Sequence, residues 1–534
     1  MRTSLCLVLV ILSLFVTYAQ KSKVLTWGDK GNGTYRNPIL NGDYSDPDVI
    51  RVNDDFYLIT STFHMSPGVT ILHSKDLVNW TIIGHAFSDL SQFNEAYSPD
   101  KMAHYSHGVW ASAIRYHNGK FWVYVFDAAF GLYMTSATNI ESPWEPATCV
   151  MKGENYSDPC PFWDDDDQMY ITGARYPPWV DEKPRTYDMF LWKLSPDGKK
   201  LQDSGTVIHR GIGSEGTKIL KIKDLYYIFY CEHQDGDFKN DRMQMVMRSK
   251  NLYGPYETHR MIQQRKEEER SPCQGGLVDT KDGSWWFIHQ QGNSNYLGRQ
   301  AILEPVTWID DWPIVGKVMP DGVGSMIWEF KKPVQGFPIK HPQSSDDFSS
   351  TKLMPQWQWN HAPRNDKWSL TERKGFLRLY ASKPCHEGFW GASNTITQRS
   401  MGEKPAEAIT CIDLRGMADG QEAGLCAIGG NAWMLQVFQE NGKRLLRTKV
   451  GKGKNDFNVV ANQNIGSKIW MKIITDKNNY RFQYSLDGKN FKYISATFTP
   501  YFINWRAIQL GIFSFNEKEN TGYIDVDWFR YDYR

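Results

Sequence analysis

The chain has 534 residues, 61 Lys and Arg against 60 Asp and Glu, and a formal net charge of +1. A balance this close to neutral argues against nucleic acid and anionic membranes as partners. The length suits two or more domains, and 21 Trp with 27 Tyr suit either rings stacked on sugar faces or the packing of β-sheet.

Residues 1–19 read as an export signal. Arg2 gives the charged start, an apolar run extends from Leu5 to Val16, and Thr17-Tyr18-Ala19 offers a small-residue cleavage site before Gln20. The run is too short to span a bilayer comfortably, and no later stretch is long enough. The expectation is an exported protein, periplasmic or extracellular, with no membrane insertion. Loss of Arg2 leaves 60 basic against 60 acidic residues. Seven cysteines follow the signal, at 149, 160, 231, 273, 385, 411 and 426, with no CxxC pair. No zinc site is read from that spacing. Export allows a disulfide or two, and the sequence assigns none.

From Arg36 a strand lead-in, Asn37-Pro38-Ile39-Leu40, runs into a tight acidic stretch holding Asp43, Asp46 and Asp48. A polar turn followed by an aromatic-rich strand then appears five times. The copies are Asn53-Asp54-Asp55-Phe56-Tyr57-Leu58, Asn118-Gly119-Lys120-Phe121-Trp122-Val123 and Asp165-Asp166-Asp167-Gln168-Met169-Tyr170, then Lys223-Asp224-Leu225-Tyr226-Tyr227-Ile228 and Asp282-Gly283-Ser284-Trp285-Trp286-Phe287. An apolar strand precedes each copy, and an outer strand with a closing aromatic follows several. Four-stranded units repeated radially make a β-propeller, so residues 30–335 are expected to form five blades. A Pro- and Gly-rich tether covers 317–342. From 345 to 534 the repeat is gone and short alternating strands remain, at 376–380, 408–414, 424–428, 432–439, 469–475, 480–485, 508–514 and 523–531. That is a second all-β domain, a two-sheet sandwich.

Inner strands of a propeller converge on its axis, so acids at equivalent strand starts meet there although distant in sequence. Asp46 in Ser45-Asp46-Pro47 and Asp158 in Ser157-Asp158-Pro159 occupy matching places before the first and third inner strands, and Glu215 precedes the fourth. Carboxylates at one centre suit acetal hydrolysis, which needs a proton for the leaving oxygen and an ionised carboxylate opposite. Gly211-Ile212-Gly213-Ser214-Glu215-Gly216 matches a dinucleotide fingerprint only formally, since 217–222 reads as strand where a helix is required. The acidic run 164–167 lacks the glycine and final glutamate of a calcium loop and reads as a hairpin turn.

These residues resemble glycoside hydrolase family 43. The matching strings are Asn37-Pro38-Ile39-Leu40 with Asp46-Pro47, Gly108-Val109-Trp110-Ala111, Ser157-Asp158-Pro159, Glu215-Gly216, Gly298-Arg299, and Pro305-Val306-Thr307-Trp308 with Trp312-Pro313. They cover about 34–330, in order along the blades. Asp347-Phe348, Trp357-Gln358-Trp359-Asn360-His361 and Asn394-Thr395-Ile396-Thr397-Gln398-Arg399 are similar to the β-xylosidase-type C-terminal sandwich, which is concanavalin A-like. The resemblance implies inverting hydrolysis with Asp46 as general base, Glu215 as general acid and Asp158 orienting the acid. It implies that Arg299 binds substrate or holds a carboxylate, and that Phe63, His64 and Trp110 wall the sugar pocket. No cofactor is required. Family members often place a cation or water at the axis near a histidine, and His289 matches that place loosely as a Ca2+ neighbour. Thr217-Lys218 stands where many members have Pro-His, which touches subsite contacts but not the acid. The implied activity is exo-acting removal of terminal xylose or arabinofuranose from plant hemicellulose oligosaccharides. The alternative is a glycan-binding propeller without catalysis.

Overall fold

The computed structural model describes residues 27–534 except 142, 179–184, 234–241, 267, 293–297, 403, 452–456, 477–478 and 500–504. The segment read as an export signal lies outside the described residues. Strands dominate, no α-helix occurs among the described residues, and four one-turn 3-10 helices interrupt the loops.

Each aromatic-turn copy becomes a hairpin because its turn supplies the left-handed backbone that tight hairpins require. Asn53, Asn118, Gly119, Asp167, Lys223 and Gly283 all have positive φ. The hairpins build five four-stranded blades. Blade 1 is Asp48–Val52, Asp55–Thr60, Gly68–Ser74 and Thr81–Phe87, and blade 2 is Ser112–His117, Lys120–Asp127, Gly131–Ala137 and Thr148–Lys152. Blade 3 is Tyr156–Trp163, Met169–Arg175, Thr186–Lys193 and Thr206–Ile212, and blade 4 is Glu215–Ile222, Leu225–His233, Arg242–Ser249 and Glu257–Ile262. Blade 5 is Cys273–Asp279, Trp285–Gln291, Gln300–Ile309 and Trp312–Val315. The first strand of each is innermost, and these five pack in a closed ring, blade 5 against blade 1. Closure is reinforced by Asn37, whose side-chain amide donates to Leu303 O at 2.8 Å and accepts from Leu303 N at 2.9 Å. The acidic run of blade 3 is a hairpin turn, its charge met by Lys221 Nζ at 3.1 Å from Asp164 and 2.6 Å from Asp165.

The 317–342 tether is ordered against the propeller. Lys317–Val318 and Gly324–Ser325 extend the sheet of blade 4, and Glu329–Lys331 pairs with Thr34–Arg36. Lys332 is buried between Asp29 at 2.6 Å and Asp76 at 2.8 Å.

The sandwich stacks an eight-stranded on a seven-stranded sheet. One strand of the eight comes from the propeller: Met65–Ser66 pairs with Gln358–Asn360. The apolar core is continuous through this junction, running from Ile39, Leu58 and Leu303 to Phe348, Trp357, Ile396 and Tyr531. All seven cysteines after the signal are free thiols.

Candidate active site

The catalytic chemistry read from the sequence depends on how the inner strands begin. The inner strands of blades 3, 4 and 5 each carry a register shift near their start, between Ser157 and Cys160, Glu215 and Lys218, and Cys273 and Gly275. At these shifts Asp158, Gly216 and Gln274 adopt positive φ (55°, 75° and 64°), and Asp46 does the same (54°) just ahead of blade 1. A bulge re-aims the side chains at a strand's end, here toward the axis. Left-handed backbone costs a non-glycine residue roughly 1 kcal/mol and persists where surrounding contacts over-determine it. Gly216 is needed for space as well, since a Cβ would lie 2.8 Å from both Cys231 Sγ and Gln274 Oε1.

Asp46 is buried and held from every side. Arg299 forks it, Nη1 to Oδ1 at 2.7 Å and Nη2 to Oδ2 at 3.0 Å. Ser61 Oγ donates to Oδ2 at 2.6 Å, and the Asp46 N–H donates to Gln290 Oε1 at 2.7 Å. The paired N–H groups of a guanidinium fix a carboxylate in orientation as well as in place.

Glu215 is held differently. Arg242 Nη2 donates to its Oε1, and about a fifth of its side chain is exposed. Loss of solvent pushes its carboxyl up to about 7. The positive charge of Arg242 opposes this, while the negative charges of Asp158 and Asp46 add to it. Packed inner strands with matching left-handed starts bring the three acids to one end of the ring, where they feel one another's charge. Tyr176 and Tyr187 border the same acid, with ring centroids 5.7 Å apart.

Asp158 is buried beside Glu215. Its Oδ1 accepts from Gln274 Nε2, and its backbone carbonyl accepts from Thr217 Oγ1. Gln274 also receives Cys231 Sγ on Oε1 at 3.4 Å. Gln274 is thus the blade 5 counterpart of Asp158, and Cys273-Gln274-Gly275-Gly276 stands at the equivalent strand start, which is the signal that points to it. Ser61 and Arg242 carry no such signal, because they reach the axis from second and third strands or the loops after them.

The other sequence-derived residues fall in two groups. Phe63 is buried next to Arg299, whose guanidinium lies 5.8 Å from its ring centroid, and its backbone exchanges hydrogen bonds with Val109 at 2.8 and 2.9 Å. Trp110 is half-buried, donates Nε1–H to Ser106 O at 3.0 Å and stacks with His107. His64 is fully buried at the domain junction: Nε2 pairs with Asn360 Oδ1 and Nδ1 accepts from Ser106 N, each at 3.0 Å. Burial, reinforced by the charge of Arg506, keeps its ring neutral.

His289 is buried, with Nδ1 on Gln290 O at 2.9 Å and Nε2 unpartnered. That free nitrogen would supply one ligand where calcium takes six to eight, oxygens of protein and water among them. No group of three or more His, Cys, Asp or Glu able to hold a metal occurs among the described residues.

Known proteins resemble the chain in both domains. The profile of glycosyl hydrolases family 43 matches residues 35–313, and that of the β-xylosidase C-terminal concanavalin A-like domain matches 345–532. A β-xylosidase of Formosa agariphila is 41% identical, the alignment covering 96% of this chain and 93% of the relative. A non-reducing-end α-L-arabinofuranosidase of Bacteroides ovatus is 29% identical, covering 99% of each. The solved structure of a family 43 protein from Bacillus licheniformis superposes with a TM-score of 0.79 at 25% identity, covering 94% of this chain and all of that one. With its five blades, its appended sandwich and these matches across both domains, the chain belongs to glycoside hydrolase family 43 and is a glycosidase.

Proposed function

We propose that the enzyme is an inverting, exo-acting β-D-xylosidase on hemicellulose oligosaccharides, with Asp46 as base and Glu215 as acid. The observation that carries this reading is the contrast at the axial centre: a carboxyl raised to about 7 beside Asp158, and a second carboxylate forked by Arg299. A carboxyl raised to about 7 suits the acid, and a carboxylate held rigidly by a guanidinium suits the base. Glu215 then gives its proton to the leaving oxygen as the C1–O bond breaks. Asp46 takes a proton from water, which attacks C1 from the opposite face, so the anomeric configuration inverts. Burial keeps Glu215 protonated, and Asp158, fixed by Gln274 and Thr217, adds to that effect. Arg299, Phe63 and Trp110 border the sugar, and His64 supports that wall from the domain junction.

Names of relatives support the pentose. The Formosa agariphila β-xylosidase aligns along nearly the whole chain. The Bacteroides ovatus arabinofuranosidase favours a second reading, terminal α-L-arabinofuranose. A panel of nitrophenyl glycosides separates them: β-D-xylopyranoside should be turned over fastest, and a preference for α-L-arabinofuranoside would select the second. Residues 1–19 support export to the periplasm or beyond. No helix among the described residues is long and apolar enough to cross a membrane.

A further inference from the structure

Arg399 ends the sandwich strand Ile396–Arg399, yet its side chain serves the propeller. Nε donates to Asp43 O at 2.8 Å, and Nη2 donates to Thr70 Oγ1 at 3.0 Å and to Thr60 Oγ1 and Ser61 O at 3.3 Å. The guanidinium lies 4.9 Å from the Tyr44 ring centroid. No carboxylate pairs with it among the described residues. Partly burying a guanidinium without an ion partner is costly unless its donors find acceptors, and Nε and Nη2 find four. Here three of the four acceptors, Asp43 O, Thr60 Oγ1 and Ser61 O, lie on the two segments that frame Asp46.

Those segments carry the donors that hold Asp46. Ser61, whose carbonyl Arg399 grips, gives its hydroxyl to Asp46 Oδ2 at 2.6 Å, and its N–H closes onto Ser45 O at 3.1 Å. Asp43, whose carbonyl Arg399 also grips, accepts the Arg299 N–H on Oδ1 at 3.0 Å and the Ala507 N–H on Oδ2 at 2.8 Å. Gly298 lets this happen: at φ 71°, a Cβ there would lie 2.4 Å from Asp43 Oδ1. Arg299 in turn donates to Trp505 O at 3.0 Å while it forks Asp46. Both supports of the base are thereby anchored in the second domain.

We infer that Arg399 is a positioning residue for Asp46, fixing the base across the domain junction through Ser61 and Asp43. This rests on the base role of Asp46. A base displaced by a fraction of an ångström slows attack by water whatever the leaving group, and misplacement on the scale of 1 Å can cost about 100-fold. An interaction used only in the transition state lowers kcat and leaves KM alone.

The test uses full-length Arg399→Met, Arg399→Lys and Thr70→Val, assayed on an unactivated disaccharide and a dinitrophenyl glycoside. For Arg399→Met, kcat should fall roughly 10- to 100-fold by the same factor on both substrates, with KM within about twofold. Lysine should recover part of the loss, and Thr70→Val should show a smaller loss of the same form. A folded Arg399→Met with wild-type kcat, a loss confined to the disaccharide, or a change in KM alone overturns the inference. If Arg399→Met does not fold, Thr70→Val, which removes one hydroxyl, decides on the same criteria. Asp46→Asn assayed in parallel separates the two readings. Retained activity there defeats the base assignment itself, whereas its loss beside wild-type Arg399 variants defeats only the role of Arg399.

Discussion

The two sides of the axial centre hold their carboxyl groups in opposite ways. On the side of blades 1 and 5, Asp46 meets a guanidinium fork and a serine hydroxyl. On the side of blades 3 and 4, Glu215 meets a single arginine contact and a second acid. The first arrangement suits a group that must not move. The second suits a group that carries a proton near neutral pH. One fold thus obtains two roles from two similar side chains by environment alone.

Substitutions can break that contrast, and their expected effects differ in size and form. Asp46→Asn should be the most severe, about 10⁴-fold in kcat and alike on all substrates, because no carboxylate remains to take the water proton. Steady-state rates across leaving groups check this. Glu215→Gln should cost roughly 10²–10⁴-fold on natural linkages and far less on dinitrophenyl glycosides, whose leaving group needs little protonation. A Brønsted plot of rate against leaving-group pKa should therefore steepen for Glu215→Gln and not for Asp46→Asn.

Two milder changes sharpen the contrast in the pH profile. Arg242 is the main charge opposing protonation of Glu215, so Arg242→Met should raise that carboxyl further above 7. The enzyme loses activity as Glu215 deprotonates, so its alkaline limb should move to higher pH, by about one unit or more. Asp158→Asn removes a negative charge that favours the protonated form, and the same limb should move to lower pH by a smaller amount. Profiles of kcat/KM for both variants check the opposed signs, and limbs moving together would contradict the electrostatic account of Glu215.

The propeller was legible in the sequence because its turns repeat. Asn53, Asn118 and Lys223 sit at positive φ at the first position of two-residue hairpin turns, and a repeated physical requirement leaves a repeated string. Strands of the sandwich at the domain junction were hidden for the opposite reason. Gln358, Asn360, Thr397 and Gln398 are buried polar residues, with Gln358 Nε2 donating to Pro67 O across the junction and Gln398 Nε2 donating to Ser344 O. They therefore show no apolar alternation for a strand to be read from. The strand Lys443–Gly451 was hidden by its charges. At the centre, the three acids were visible as equivalent positions, whereas Arg242, Ser61 and Arg399 come from elements whose place at the axis only the folded chain defines.

The central claim is that water activated by Asp46 attacks the sugar directly. Proton NMR of the first-formed product from a β-xyloside tests it most directly, read before mutarotation equilibrates the anomers. The account predicts α-xylose as the initial product. Initial β-xylose would show retention and would contradict the roles of Asp46 as base and Glu215 as acid.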